Sequence, residues 1–365
     1  MRFVDEFRNP QLARALAERI QRRADRPMRL MEFCGGHTHA ILRFGIRQVL
    51  PPTVEMLSGP GCPVCVTSAA DLDRAIAMAD VPGVILATFG DMIRVPGSRE
   101  TLQQAKSRGA DVRVVYSPLD AVGLAERNPS RPVIFLGVGF ETTAPGVATS
   151  ILDAQSRGVR NYYVLCLHKL TPPATRAILD AGEVNLSGVL GPGHVTTIIG
   201  TDGWQFLPRD YGTPIVIAGF EPLDILRGIS MLVEQVATGE ARVDNAYPRS
   251  VAPEGNRAAL ATMARAFEVA DAEWRGLGVI PASGLRIRPE FAAHDAAIAF
   301  PVEVPASREP PGCRCGNVLR GALSPPECPL FRKVCTPENP VGPCMVSAEG
   351  ACAAYYQFGD VSDEG

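Results

Sequence analysis

Three groups of residues in this chain combine types and spacings that suit chemistry, and all three are built on sulfur. The first is Phe33-Cys34-Gly35-Gly36-His37-Thr38-His39-Ala40, which follows the apolar run Met28–Phe33 and precedes the amphipathic stretch Ile41–Leu50. A thiol at a strand-to-helix turn sits near the positive end of the helix, which predicts a lowered pKa and a populated thiolate. Two glycines allow the backbone to approach a ligand closely. His37 and His39 lie within reach of the same turn as ligand, base or proton donor. A helix entry with polar capping groups would explain either histidine alone, but Cys-Gly-Gly-His-x-His as a unit favours function.

The second group is Ser58-Gly59-Pro60-Gly61-Cys62-Pro63-Val64-Cys65, also after a strand-like run and before a helix. C-x-x-C in a βα setting is the arrangement of dithiol redox motifs. Half of a zinc site is the competing reading, and it lacks a matching second C-x-x-C. Ligands of open parallel sheets bind at the carboxyl ends of strands, so Cys34, Cys62 and Cys65 are expected to face one crevice.

The third group is Cys313, Cys315, Cys328, Cys335, Cys344 and Cys352, in a Pro/Gly-rich region with little apolar material for a core. Thiolates suit zinc or iron–sulfur clusters. Zinc sites usually draw on C-x2–4-C knuckles, and neither a knuckle nor a histidine occurs here. Long, uneven gaps fit a 4Fe–4S cluster better, with zinc and disulfides as alternatives. Six cysteines exceed the four one cluster needs, leaving two for packing or for a redox pair. Cys166 stands apart in an apolar run and reads as a buried strand cysteine.

The elements that must position these groups show a β-α-β-α rhythm from about residue 28 to 240. Candidate strands are Met28–Phe33, Val54–Leu57, Val84–Thr88, Val112–Tyr116, Val133–Val138, Tyr162–Leu167, Gly188–Leu190 and Ile215–Ala218. They lack polar alternation, as expected of parallel strands covered on both faces. Helical stretches include Ser68–Met78, Thr101–Arg108, Pro145–Arg157, Pro222–Ala237 and, later, Arg257–Ala270. The expected fold class is α/β: two similar parallel-sheet domains, 28–128 and 129–240, divided at the polar, proline-bearing Arg127–Pro132. Residues 1–27 and 241–365 form a third, helical and cysteine-rich unit, and Met1–Pro27 reads as a charged amphipathic helix. Strand-end groups Asp91, Glu141 and His194 are expected around an interdomain cleft with the thiols, and Thr142 or Thr143 as a helix cap.

Bulk composition narrows the class. At 365 residues the chain is long for a single core. A net charge of −3 gives no electrostatic footprint for nucleic acid. No apolar run approaches the ~18–20 residues of a membrane span, and no apolar h-region marks a signal peptide. A cytoplasmic location follows as an expectation, and there clustered cysteines lean toward metal or redox chemistry rather than structural disulfides.

Taken together, these motifs resemble the HypD family, scaffolds for assembly of the Fe(CN)2CO moiety of nickel–iron hydrogenases. The resemblance covers essentially the whole chain. Its carriers are Cys34-Gly-Gly-His-Thr-His-Ala-Ile41, Gly59-Pro-Gly-Cys-Pro-Val-Cys65, Gly139-Phe-Glu-Thr-Thr143 and Pro192-Gly-His-Val195. The family's C-x14-C-x6-C-x16-C pattern is matched by Cys313, Cys328, Cys335 and Cys352, which implies these four as 4Fe–4S ligands and leaves Cys315 and Cys344 as extras. The resemblance further implies a stable complex with the small chaperone HypC, whose cysteine would share iron with Cys34, and a transient complex with the cyanide donor HypE. Thr196 stands where the family commonly has serine, with the hydroxyl retained. The expected role is a maturation scaffold with redox activity rather than a conventional turnover enzyme. In it Cys34 holds iron that acquires cyanide and carbon monoxide, His37, Asp91, Glu141 and His194 position or protonate ligands, and Cys62/Cys65 relay electrons. The rival readings are an iron–sulfur-dependent thiol–disulfide reductase and a zinc-stabilised interaction module.

Overall fold

The computed structural model describes residues 5–359. Nine parallel strands form in chain order: β1 (Met28–Glu32), β2 (Val54–Ser58), β3 (Ile85–Thr88), β4 (Asp111–Val114), β5 (Val133–Gly137), β6 (Tyr162–Cys166), β7 (Gly188–Pro192), β8 (Ile215–Ala218) and β9 (Val243–Asn245). Every residue of β3, β5, β7 and β8 is buried, which is why these strands read as unbroken apolar runs. The eight expected strands are all present.

Two parallel-sheet α/β domains and an irregular carboxyl-terminal region result, but the strands sort differently from a division at 128/129. One sheet has the order β2-β1-β7-β8-β9 and the other β4-β3-β5-β6. Sheet two is thus inserted between β2 and β7 of sheet one, and each sheet takes strands from both sides of the expected boundary. Strands buried on both faces look alike in sequence, so their composition carries no information about their neighbours. The stretch Arg127–Pro132 is the turn into β5, not a linker between sheets.

Strand order reverses once in each sheet, between β1 and β7 and between β3 and β5. At such switch points the loops diverge and leave a crevice at the carboxyl edge. Cys34 and His194 follow β1 and β7, while Asp91 and Glu141 follow β3 and β5.

The ends of the chain also differ from expectation. The amino-terminal helix runs Pro10–Arg23, and residues 1–4 lie outside the described residues. It packs on the helix Pro222–Thr238, with Arg23 and Arg19 reaching Glu234 at 2.9 and 3.7 Å, so it belongs to sheet one rather than to the cysteine-rich region. The helix expected over Arg257–Ala270 stops at Ala266. An antiparallel hairpin follows, β10 (Phe267–Trp274) and β11 (Gly278–Ile287). Alanine and glutamate argue for helix there, but β10 buries both ends and pairs along its length, so tertiary pairing overrides propensity. Among the described residues no helix is long and apolar enough to cross a membrane.

Candidate functional site

The crevice of sheet one is built around Cys34, the extended residue that caps the helix Gly35–Arg43. Its N–H donates to Glu32 Oε2 at 2.9 Å, and Thr38 Oγ1 donates to the other oxygen of the same carboxylate. Burial raises Glu32 to about 7 against the pull of these bonds. The thiol does not follow the expectation of a lowered pKa. Burial pushes Cys34 up to about 12, Glu349 and Glu32 add to the rise, and the backbone N–H groups of Gly36 and His37 oppose it. Desolvation of the charged form outweighs the partial charge of the helix end.

Two glycines are required by close approach. A Cβ on Gly61 would lie 2.2 Å from the Cys34 nitrogen, and one on Gly35 would lie 2.2 Å from the Glu349 backbone oxygen. The first contact lets the loop bearing Cys62 pass directly over Cys34. The second brings the carboxyl-terminal segment against the same turn.

Two of the three histidines expected at the crevice meet on one aromatic ring. His37 stacks on Phe220 at 4.6 Å between centroids, and His194 stacks on Phe220 at 3.8 Å. His37 is fully buried, and its Nε2 donates toward Gly219 O at 3.0 Å and Ala218 O at 3.3 Å. Its Nδ1 has no partner among the described residues. Burial lowers His37 to about 4 and lowers His194 as well, so both imidazoles are neutral near pH 7. His39, expected near the same turn, instead donates to Ala348 O at 3.3 Å and meets Phe358 edge-on. Thr196 donates to Pro192 O at 2.7 Å and accepts from Trp204 at 3.0 Å, so its hydroxyl braces the helix that carries His194.

Cys62 and Cys65 are joined as a disulfide, with Cα atoms 5.2 Å apart and both residues buried. Cys65 Sγ lies 3.9 Å from Pro343 O, beside Cys344. The pair therefore stands between the Cys34 crevice and the cysteine-rich region, and it is not half of a zinc site.

Asp91 reaches Cys34 only indirectly. It accepts from Ser347 Oγ at 3.1 Å, and Ser347 in turn accepts the Glu349 N–H at 3.3 Å. Glu141 belongs to a different environment: it accepts Thr171 N at 2.8 Å and Thr171 Oγ1 at 3.2 Å. Burial raises it to about 7. It borders a cavity of about 430 Å³ lined by Leu170, Ile199, Met263, Phe267 and Leu285. The expected grouping of Glu141 with the thiols therefore separates into two crevices. Thr143 occupies a helix N-cap, but its hydroxyl donates back to Phe140 O instead of capping. Cys166 ends β6, half-buried, with its thiol donating to Leu285 O at 3.2 Å, so it acts as a strand residue.

All six carboxyl-terminal cysteines line one small cavity, together with Leu330, Phe331, Gly342 and Met345. Burial pushes Cys313 to about 12 and raises Cys335, and the thiols of Cys328 and Cys352 add to both shifts. Val341 N–H donates to Cys335 Sγ at 3.4 Å, the kind of backbone bond that stabilises a thiolate ligand. Cys315 and Cys344 are hydrogen-bonded to each other, and Cys344 also to Cys352. The bond from Cys344, with the nearby Arg275 guanidinium, holds Cys315 below its ordinary value against the effect of burial. Among the described residues no three His, Cys, Asp or Glu side chains converge closely enough to hold a metal ion as they stand. The thiols nonetheless form a soft, largely buried cage drawn from separate stretches of the chain.

Residues that sequence reasoning did not single out complete the picture: Glu32, Phe220, Arg275, Ser347 and Glu349. Arg275, buried in the hairpin turn, donates to Thr67 O at 2.9 Å and pairs with Glu309 at 2.6 Å, tying the disulfide segment to the cysteine-rich region. A charged residue at the end of an apolar run was the available signal for Glu32. The others have no local sequence mark.

Comparison with known proteins places this architecture. The model of the HypD family, described as the hydrogenase formation hypA family, matches residues 11–359. The hydrogenase maturation factor HypD of Azotobacter vinelandii is 52% identical over 368 residues, covering 98% of this chain and 97% of the relative. Those of Rhodobacter capsulatus and Escherichia coli K12 are 49% and 47% identical, each covering 98% of both chains.

Proposed function

The chain belongs to the HypD family of hydrogenase maturation factors, and from that premise we propose that it is the scaffold on which the Fe(CN)2CO group of nickel–iron hydrogenases is assembled. The observation that carries this reading is the crevice at the β1/β7 switch point, where a half-buried thiol, two neutral imidazoles and a buried carboxyl converge.

In this reading the substrate is an iron atom shared between Cys34 and a cysteine of HypC, with HypE as transient cyanide donor. Soft thiolate donation suits low-spin iron carrying cyanide and carbon monoxide. Binding iron displaces the Cys34 proton, and the high thiol pKa means that the metal, not the helix end, makes the thiolate. Neutral His37 and His194 hold Phe220 between them, and His37 Nδ1 offers an acceptor without adding positive charge. Asp91 orients the Ser347–Glu349 turn at the rim.

Cys313, Cys328, Cys335 and Cys352 would hold a 4Fe–4S cluster, which when bound supplies single electrons. The chain's own residues do the rest. Reduction of the Cys62–Cys65 bond takes two electrons and two protons and leaves two thiols, and re-forming the disulfide releases the same two electrons and two protons. Cys315 and Cys344, the two remaining thiols of the same cavity, would form a second redox pair, and Cys344 follows Pro343, whose carbonyl lies 3.9 Å from Cys65 Sγ. A thiol–disulfide reductase acting on large substrates is disfavoured because Cys62 and Cys65 are 3% and 0% exposed. A cytoplasmic setting fits a disulfide that must be opened repeatedly. Anaerobic co-purification with HypC, followed by iron analysis and infrared spectroscopy, tests the proposal. A complex with cyanide and carbon monoxide bands is expected, and loss of both complex and bands would overturn it.

A further inference from the structure

The carboxyl-terminal segment does more than carry thiols, because residues 347–358 form one wall of the Cys34 turn. The Glu349 backbone rests on Gly35 where a side chain would otherwise be. His39 donates to Ala348 O at 3.3 Å and meets the Phe358 ring at 5.0 Å. Arg47 donates to the Tyr355 hydroxyl at 2.5 Å, and its guanidinium lies over the same ring, 5.2 Å from the centroid. Ser347 adds the link to Asp91. The helix Ala351–Phe358 that supplies Tyr355 and Phe358 also contains Cys352, whose sulfur lines the cysteine cage.

The sequence leading into that helix has little regular secondary structure. Between Pro301 and Gly350 the only helical pieces are the short turns Cys315–Leu319, Pro325–Glu327 and Pro343–Met345. A segment of this kind takes its order from what its thiols bind, since metal binding there is also folding free energy. We propose that Cys352 acts as a positioning residue for the Cys34 turn as well as a cage thiol. Closing the cage fixes the helix Ala351–Phe358, which through Tyr355 and the adjoining Glu349 holds Cys34 in its docking geometry. The crevice then accepts an iron-carrying partner only after the cage is filled. This inference rests on the reading that the cage binds metal.

Hydrogen exchange on the full chain, loaded anaerobically and then chelated under reducing conditions, tests it. Iron removal is expected to speed exchange about tenfold or more in residues 33–47 together with 343–358, while β5 and β6 stay protected. Loosening of 343–358 with residues 33–47 unchanged would overturn the proposal. Two variants keep the cage occupied and remove the wall. Tyr355→Ala and Gly35→Ala should retain iron and sulfide, yet show faster exchange at 33–47 and about tenfold weaker capture of HypC. Tyr355→Phe, which keeps the ring beneath Arg47, should recover most of that loss. If Tyr355→Ala loses iron, Gly35→Ala decides, because its clash lies outside the cage. Iron content separates the two failures. A chain that takes up no iron and sulfide sinks the cage reading, and the dependence on metal with it. A loaded Gly35→Ala chain that binds HypC as the parent does sinks only the positioning role.

Discussion

The crevice at the β1/β7 reversal and the crevice at the β3/β5 reversal arise from the same topology, yet they present different chemistry. The first gathers Cys34, His37 and His194 around Phe220, with a loop on Gly61 above and the Glu349 turn at the side. In the second, Glu141 is tied to Thr171 beside an apolar cavity, and Asp91 leans out to Ser347 of the carboxyl-terminal segment. A switch point supplies an opening, but the loops that cross it decide whether the opening can hold a metal ion. Cys34, Cys62 and Cys65 stand at the mouth of sheet one, where Gly35 and Gly61 let neighbouring backbones close in, whereas the thiol that ends a strand of sheet two, Cys166, is tied to Leu285 O.

Substitutions that affect one crevice and spare the other sharpen this contrast. Gly61→Ala should have the largest effect, since the new Cβ meets backbone atoms of Cys34 rather than a side chain that can yield. We expect a loss of about 4 kcal/mol in chemical denaturation, with the Glu141 environment unchanged. Glu141→Gln addresses the other crevice through pH. Glu141 stays protonated in the fold up to about 7 while the unfolded carboxyl ionises near 4.5. Its contribution is therefore complete below about pH 4.5 and is lost as pH rises to about 7, by about 3 kcal/mol. Glu32 acts in the same direction, while the buried His37 and His168, lowered to about 4 and about 3, act in the opposite one, so Glu141→Gln is read as a change in slope relative to the parent. An unchanged slope would show that Glu141 is not buried as described.

Phe220→Ala should cost about 2 kcal/mol, because the ring is only partly buried. Its diagnostic effect is on the two histidines, whose ring resonances should lose their aromatic shift while those of His168 and His294 do not move. The smallest effect is expected at Thr196. Thr196→Val leaves the buried Trp204 N–H without its partner, at about 1 kcal/mol, whereas Thr196→Ser should be close to neutral in thermal denaturation.

Much of the architecture was legible because parallel strands buried on both faces announce themselves as apolar runs. Their partners were not legible, since Leu30 of β1 meets Gly188 of β7 across a separation that no local pattern records. The hairpin β10–β11 was hidden by helix-forming alanines and glutamates. Within the crevice, Cys34 and His37 stood out because thiol, glycines and imidazole share one short motif. Glu32 and Phe220 did not, because their importance lies in an N–H accepted and two rings stacked. The lowered pKa expected for Cys34 failed for the same reason: a helix end is visible in sequence and desolvation is not. The choice of four cysteines among six rested on family resemblance, and the structure brings all six to one cavity.

The central claim is that iron is held at the sheet-one crevice through Cys34. Infrared spectra of the anaerobic complex with HypC, recorded for the parent chain, Cys34→Ala and Glu141→Gln, test it most directly. The account predicts cyanide and carbon monoxide bands for the parent and for Glu141→Gln, and none for Cys34→Ala at equal cage iron. Undiminished bands in Cys34→Ala would contradict it.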